Sequence, residues 1–206
     1  MIQSPYSKTQ LRRARAHTAG GFTDRILRVF RFDATVYEEV RHDRNAVTQA
    51  MAIVFLSSAI GLIPILSEAA NSPVSEYVHP FWFVLALPLP LLGWMCQAVM
   101  LYFVGAIVFR GPYTDTNITQ VMTVTGFASV PGLFGVVAEF PVAGTLLGGV
   151  ITVWMSVLQV IAIREVFDYS SMLNALGVWL ANMLALIVVM LTVLGIASLA
   201  FMLVWR

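Results

Sequence analysis

Long apolar runs without a charge constrain this chain most. The first, about Ala46–Leu66, contains no Asp, Glu, Lys or Arg. As a helix it would be about 30 Å long, the thickness of the hydrocarbon core of a bilayer. Further runs follow at about Pro80–Phe109, Ile118–Val137, Val142–Ile163 and Ser171–Trp205. In lipid a segment must satisfy its own backbone hydrogen bonds, and for single segments the helix does this. The expected fold is an all-α integral membrane protein, a five-transmembrane-helix bundle. Composition agrees. Of 206 residues 59% are hydrophobic and 11% charged, against about 25% charged in a soluble domain. Mean hydropathy is +0.82.

The runs are not equivalent. The second is overlong and carries Pro88 and Pro90, which predicts a kink or an interfacial first turn. The third holds Gln120, Thr123, Thr125, Gly126, Ser129 and Pro131-Gly132, and a broken helix is one expectation for it. The fifth exceeds a simple span and is expected to begin in the cytoplasmic headgroup layer.

Charge is concentrated ahead of the first run. Residues 1–45 hold nine of the twelve Lys/Arg and five acids, a net of +4. A cleavable leader has its apolar core within about 30 residues. Here the apolar run begins near residue 46, so the first helix is expected to remain as an anchor. Residues 1–21 read as a disordered basic tail. Residues 22–45 read as interfacial amphipathic helices, and 46–206 as the five-helix transmembrane domain. In the interfacial segment Thr23 could cap a helix with Ile26, Leu27 and Phe30 on one face. Arg25, Arg28 and Arg31 recur beside that face, where arginine stems can snorkel against anionic lipid. Thr35 and Glu38 match a capping box for a second short helix, with Val36, Tyr37 and Val40 inward.

The loops set the expected orientation. Segment 67–79 has Glu68 and Glu76, and 138–141 has Glu139, with no Lys or Arg in either. With five spans, eleven of twelve basic residues fall on the N-terminal side and Arg206 alone on the other. The positive-inside rule then predicts a cytoplasmic N-terminus and an outside C-terminus. Trp82 and Trp205 fall near the outer interface, while Trp94, Trp154 and Trp179 fall deeper. The expected location is a prokaryotic inner membrane.

Small residues mark where helices can approach. Gly144 and Gly148 form a GxxxG. Ser57 with Gly61, Ala128 with Gly132, and Gly177 with Ala181 are weaker versions. Lipid gives no hydrophobic drive to helix association, so these positions are expected to pack helices within the chain.

Chemistry is sparse. There is no phosphate-binding glycine loop with its Lys, no HExxH, no CxxC and no GxSxG. The lone cysteine, Cys96, can form no intrachain disulfide. His17, His42 and His79 fall in a tail, a surface helix and an outer loop. No metal or other cofactor is expected beyond bound lipid, with pigment against the outside of the helices as the alternative and His79 as its one axial ligand. No acid or base falls deep within a span. Gln97, Gln120, Gln159, Asn174 and Asn182 are read as interhelical hydrogen-bonding residues, and Glu139 beside Pro141 as a loop acid.

Arg31-Phe-Asp-Ala-Thr-Val-Tyr-Glu-Glu-Val40, followed by Asp43-Arg-Asn-Ala46, resembles the segment before the first span of prokaryotic Yip-family (Ypt/Rab-interacting-protein-like) proteins. So does Gly126-Phe-Ala-Ser-Val-Pro-Gly132, followed by Val153-Trp154 and Ile163-Arg164-Glu165. The resemblance covers about residues 22–200. The Asp-Leu-Tyr-Gly-Pro-type signature of eukaryotic relatives is absent. The resemblance implies a five-helix membrane scaffold and transfers no catalytic residue. The expected function is a non-enzymatic membrane scaffold or adaptor acting through anionic lipid and other membrane proteins, with no nucleic-acid partner. The alternatives are an accessory subunit of a large respiratory or photosynthetic complex, and a small transporter or channel.

Overall fold

The computed structural model describes residues 20–71, 88–140 and 143–204. Helices α1 (Phe22–Phe30) and α2 (Thr35–His42) form an N-terminal hairpin. Then come α3 (Ala46–Ala70), α4 (Leu89–Tyr102), α5 (Ile118–Ala128), α6 (Gly144–Val166) and α7 (Met172–Val204). A π-helix, Phe103–Val108, continues α4, and a 3-10 helix, Val130–Glu139, continues α5. Among the described residues there is no strand. Five helices are long and apolar enough to cross a membrane, so the chain is an integral membrane protein.

Several local expectations need correction. Gly21, not Thr23, is the N-cap of α1, and no side chain caps it. The capping box expected at Thr35 and Glu38 is not formed. Asp33 takes the role instead, its Oδ1 accepting from the Thr35 N–H (3.0 Å) and hydroxyl (2.7 Å). An Asx turn of this kind satisfies the same orphan donors. Glu38 is left free to face Arg41. The true capping box lies at Asn117: its side chain accepts from Gln120 N (2.9 Å), and Gln120 Oε1 accepts from Asn117 N (3.2 Å). Pro88 and Pro90 open α4, where a missing N–H costs nothing.

Helix α5 is the central element, packed against α2, α3, α4 and α6. Its polar residues are there because the break at Ser129 frees a carbonyl. Ser129 N turns to the Gly126 carbonyl, as a tighter helix requires. The Thr125 carbonyl is then taken by Ser129 Oγ (3.1 Å) and by Gln159 Nε2 from α6 (3.2 Å). Thr125 Oγ1 donates to the Val121 carbonyl and accepts from Trp94 Nε1 of α4 (3.2 Å). No water is available in lipid to do this work.

The π-helix has a matching cause. Phe109 N bonds the Val104 carbonyl, five residues back, which frees the Gly105 carbonyl. The Tyr169 hydroxyl, from the turn before α7, donates to Gly105 O (2.8 Å), with Phe109 O 3.1 Å away. Gly105 is required here, because a methyl group would sit 2.5 Å from Phe167 Cζ.

Candidate functional site

The C-terminal end of α2, the 109–117 loop and the 167–171 turn converge on one end of the bundle. Arg25 is the anchor of the hairpin, and only 3% exposed. Its Nε donates to Glu39 Oε1 (2.8 Å), Nη1 to Gln49 Oε1 (2.9 Å), and Nη2 pairs with Asp43 Oδ2 (2.7 Å). Arg28 bridges Asp33 (2.9 Å), Glu39 and Thr35 Oγ1 (2.8 Å). Arg41 joins α2 to the last loop, donating to the Glu165 carbonyl (2.6 Å) and to Asp168 Oδ2 (3.0 Å). Thr114 Oγ1 donates to the Phe167 carbonyl (2.9 Å), which ties the two loops together.

These contacts tune the groups that make them. Burial pushes the Asp33 carboxyl up, but hydrogen bonds from Thr35 and Arg28 outweigh it, and the value ends lowered. At Asp43 burial is likewise outweighed by the Asn45 N–H and by Arg25. Tyr37 is buried with no partner for its hydroxyl among the described residues, and desolvation pushes it upward. Desolvation pushes Tyr169 up to about 12.

The arginines expected at the lipid surface are thus placed differently. Arg25 and Arg28 face acids of this chain, so they do not form a membrane-contact face. The reason is the hairpin: α2 returns Glu39 and Asp43 to the side of α1 that carries Arg25. Arg31 alone of the three is exposed and, among the described residues, has no ion pair. Leu27 is exposed, while Ile26 and Phe30 pack against the core. The Phe30 ring lies 5.5 Å from that of Trp154 and 5.4 Å from Phe134. Trp154 is twelve residues from the end of α6, about 18 Å along the helix. The hairpin therefore runs down the flank of the bundle, not across its end. Phe32 makes its turn, with φ 56°, and stacks on Trp154 at 6.1 Å.

Two of the small-residue pairs meet each other. A methyl on Gly132 would lie 3.0 Å from Ser57 Cβ, and one on Gly135 would lie 3.9 Å from Gly61 Cα. Ala128 is fully buried and Gly144 is buried, while Ala181 is half-buried. Gly148 and Gly177 do not pack helices: a methyl on either meets no described atom within 4 Å. Gly177 lines a cavity. Gly126 is also tightly packed between helices: a methyl there would sit 2.7 Å from Ala50 Cβ and 3.1 Å from Trp94. Sequence spacing did not single out Gly105, Gly135 or Tyr169. His17, His79, Glu76, Trp82, Pro141, Trp205, the tail 1–19 and the side chain of Glu139 lie outside the described residues.

Two cavities open at this end. One, about 640 Å³, lies between α2 and the loops and is lined by Glu38, Arg41, His42, Asp115, Gln120 and Asp168 among others. The other, about 530 Å³, lies where α4 ends and α7 begins.

No known protein family, curated protein or solved structure matches the chain. Its function must therefore be argued from the geometry.

Proposed function

We propose that the chain is a non-enzymatic membrane scaffold or adaptor in a prokaryotic inner membrane, with its N-terminus cytoplasmic and C-terminus outside. The observation that carries this reading is the use of its charges. Arg25, Arg28 and Arg41 are each bound to acids or carbonyls of the same chain. They fasten the hairpin to the spans and to the last loop, which gives a fixed surface for partners. The arginines gathered at this end, including Arg41, Arg44, Arg110 and Arg164, support the cytoplasmic assignment. Exposed Leu27, Arg31 and Phe32 are the hairpin residues offered to lipid or to a partner. The Yip-family resemblance belongs to the same proposal.

One observation favours the accessory-subunit reading. Helix α7 has 33 residues, about 50 Å of helix where about 30 Å spans the hydrocarbon. Residues 187–203 are all exposed. A larger complex would cover such a helix.

Purification of the full chain from its own membranes in mild detergent tests the proposal. An adaptor returns partners below one-to-one, and a subunit returns an intact complex in fixed ratio. Specific solute or proton flux in proteoliposomes would overturn both.

A further inference from the structure

The cavity between the end of the π-helix and the start of α7 is lined by two kinds of surface. Val108, Phe109, Leu173 and Val178 form its apolar part, and Arg110, Ser170 and Asn174 supply polar groups. Arg110 is exposed and, among the described residues, has no ion pair or hydrogen bond. That sets it apart from Arg25, Arg28 and Arg41, all neutralised at short range. Asp168 also lines the cavity, but its carboxylate is held by Arg41 at 3.0 Å. The rim is apolar on its outer side, with Val108 69% and Leu173 76% exposed. Both flank the ends of candidate spans, so the lipid boundary reaches this level.

The geometry points to a binding site for an anionic phospholipid, its phosphate on Arg110 and its chains along α7 past Gly177. The guanidinium matches a phosphate in shape and charge. Ser170 and Asn174 add donors beside it, and the apolar wall continues from the phosphate position toward the hydrocarbon. A free phosphate would use the first feature and not the second. Gly177 leaves the groove open: a methyl there meets no described atom within 4 Å. This site deepens the lipid-contact part of the scaffold reading and rests only on the chain being seated in a membrane. Loss of every protein partner would leave it standing.

The test uses the full chain in detergent, with retained lipid counted by native mass spectrometry. The probes are phosphatidylglycerol, phosphatidylcholine of the same chains, and glycerol phosphate. Phosphatidylglycerol is expected to be retained over phosphatidylcholine by about fivefold, the factor for one basic contact. Arg110→Gln should remove that preference, and Arg31→Gln should leave it. Gly177→Trp, which fills open space without touching the core, should lower retention of both lipids. Unchanged retention in Arg110→Gln would overturn the site. Displacement of phosphatidylglycerol by equimolar glycerol phosphate would overturn the lipid assignment in favour of free phosphate. Because Arg110 has no partner to lose among the described residues, its variant is expected to fold.

Discussion

Helices α5 and α7 sit at opposite extremes of this bundle. The third span is the least apolar, with a mean hydropathy of 1.4, and half of its window is buried. The fifth is the most apolar, at 2.7, and none of its window is buried. A soluble protein orders its helices the other way. In lipid, apolarity is what an unaccompanied helix needs, and threonine, glycine and glutamine mark where helices meet. Thr125, Gly126 and Ser129 form the contacts of α5 with α3, α4 and α6, whereas every described residue of α7 from 187 to 203 is exposed.

The comparison can be broken first by a charge. Arg25→Met would leave Asp43 without its cation and Glu39 with Arg28 alone, and should cost about 3–5 kcal/mol. Arg31→Met, on the outer face of the same helix, should stay within about 0.5 kcal/mol. Reversible unfolding in mixed micelles measures both, and equal losses would mean that the hairpin is not fastened as described.

A side chain added to the interior comes next. Gly126→Leu would push into Ala50 and Trp94, and Gly105→Ala into Phe167. Each should cost about 1–3 kcal/mol by overpacking. Gly195→Leu, on the bare part of α7, has nothing within 4 Å to strike and should be neutral. A comparable loss at Gly195 would show that α7 is covered within the chain.

The contrast explains what could be read from sequence and what could not. Long chargeless runs gave all five spans, because lipid selects on composition over a whole helix. The inward set Val36, Tyr37 and Val40 was legible from spacing, and all three are at most 1% exposed. The destination of Arg25 was not. Its partners Glu39, Asp43 and Gln49 lie 14 to 24 residues away, across a turn that rests on Asp33. The π-helix was illegible for the same reason, since Tyr169, which takes the freed Gly105 carbonyl, lies 64 residues further on. GxxxG states that a helix can be approached and not that it is, so Gly148 and Gly132 looked alike.

Titration should give smaller effects, again confined to the polar end. Asp33 and Asp43 have folded values below the ordinary 3.8. Their stabilisation is therefore complete above that value and is lost as pH falls through the lower folded values. Hydrogen exchange should quicken in residues 22–42 below about pH 4 while α5 stays protected. Tyr169 shifts the other way, from 10.0 to about 12. Its contribution is complete below pH 10 and fades as pH rises toward 12. Exchange at residues 103–109 should report that loss. Acid-quickened exchange in α5 before the hairpin would contradict this order.

The central claim is that five spans bring the hairpin and the loops after α4 and α6 to one side of a membrane, and the segments after α3 and α5 to the other. Single cysteines in a Cys96→Ser background, labelled with a membrane-impermeant maleimide, test it most directly. Cysteines at Arg44, Tyr113 and Asp168 should label together in inverted vesicles, and those at Asn71 and Phe140 only in right-side-out cells. Labelling of Tyr113 and Asp168 from opposite sides would contradict it.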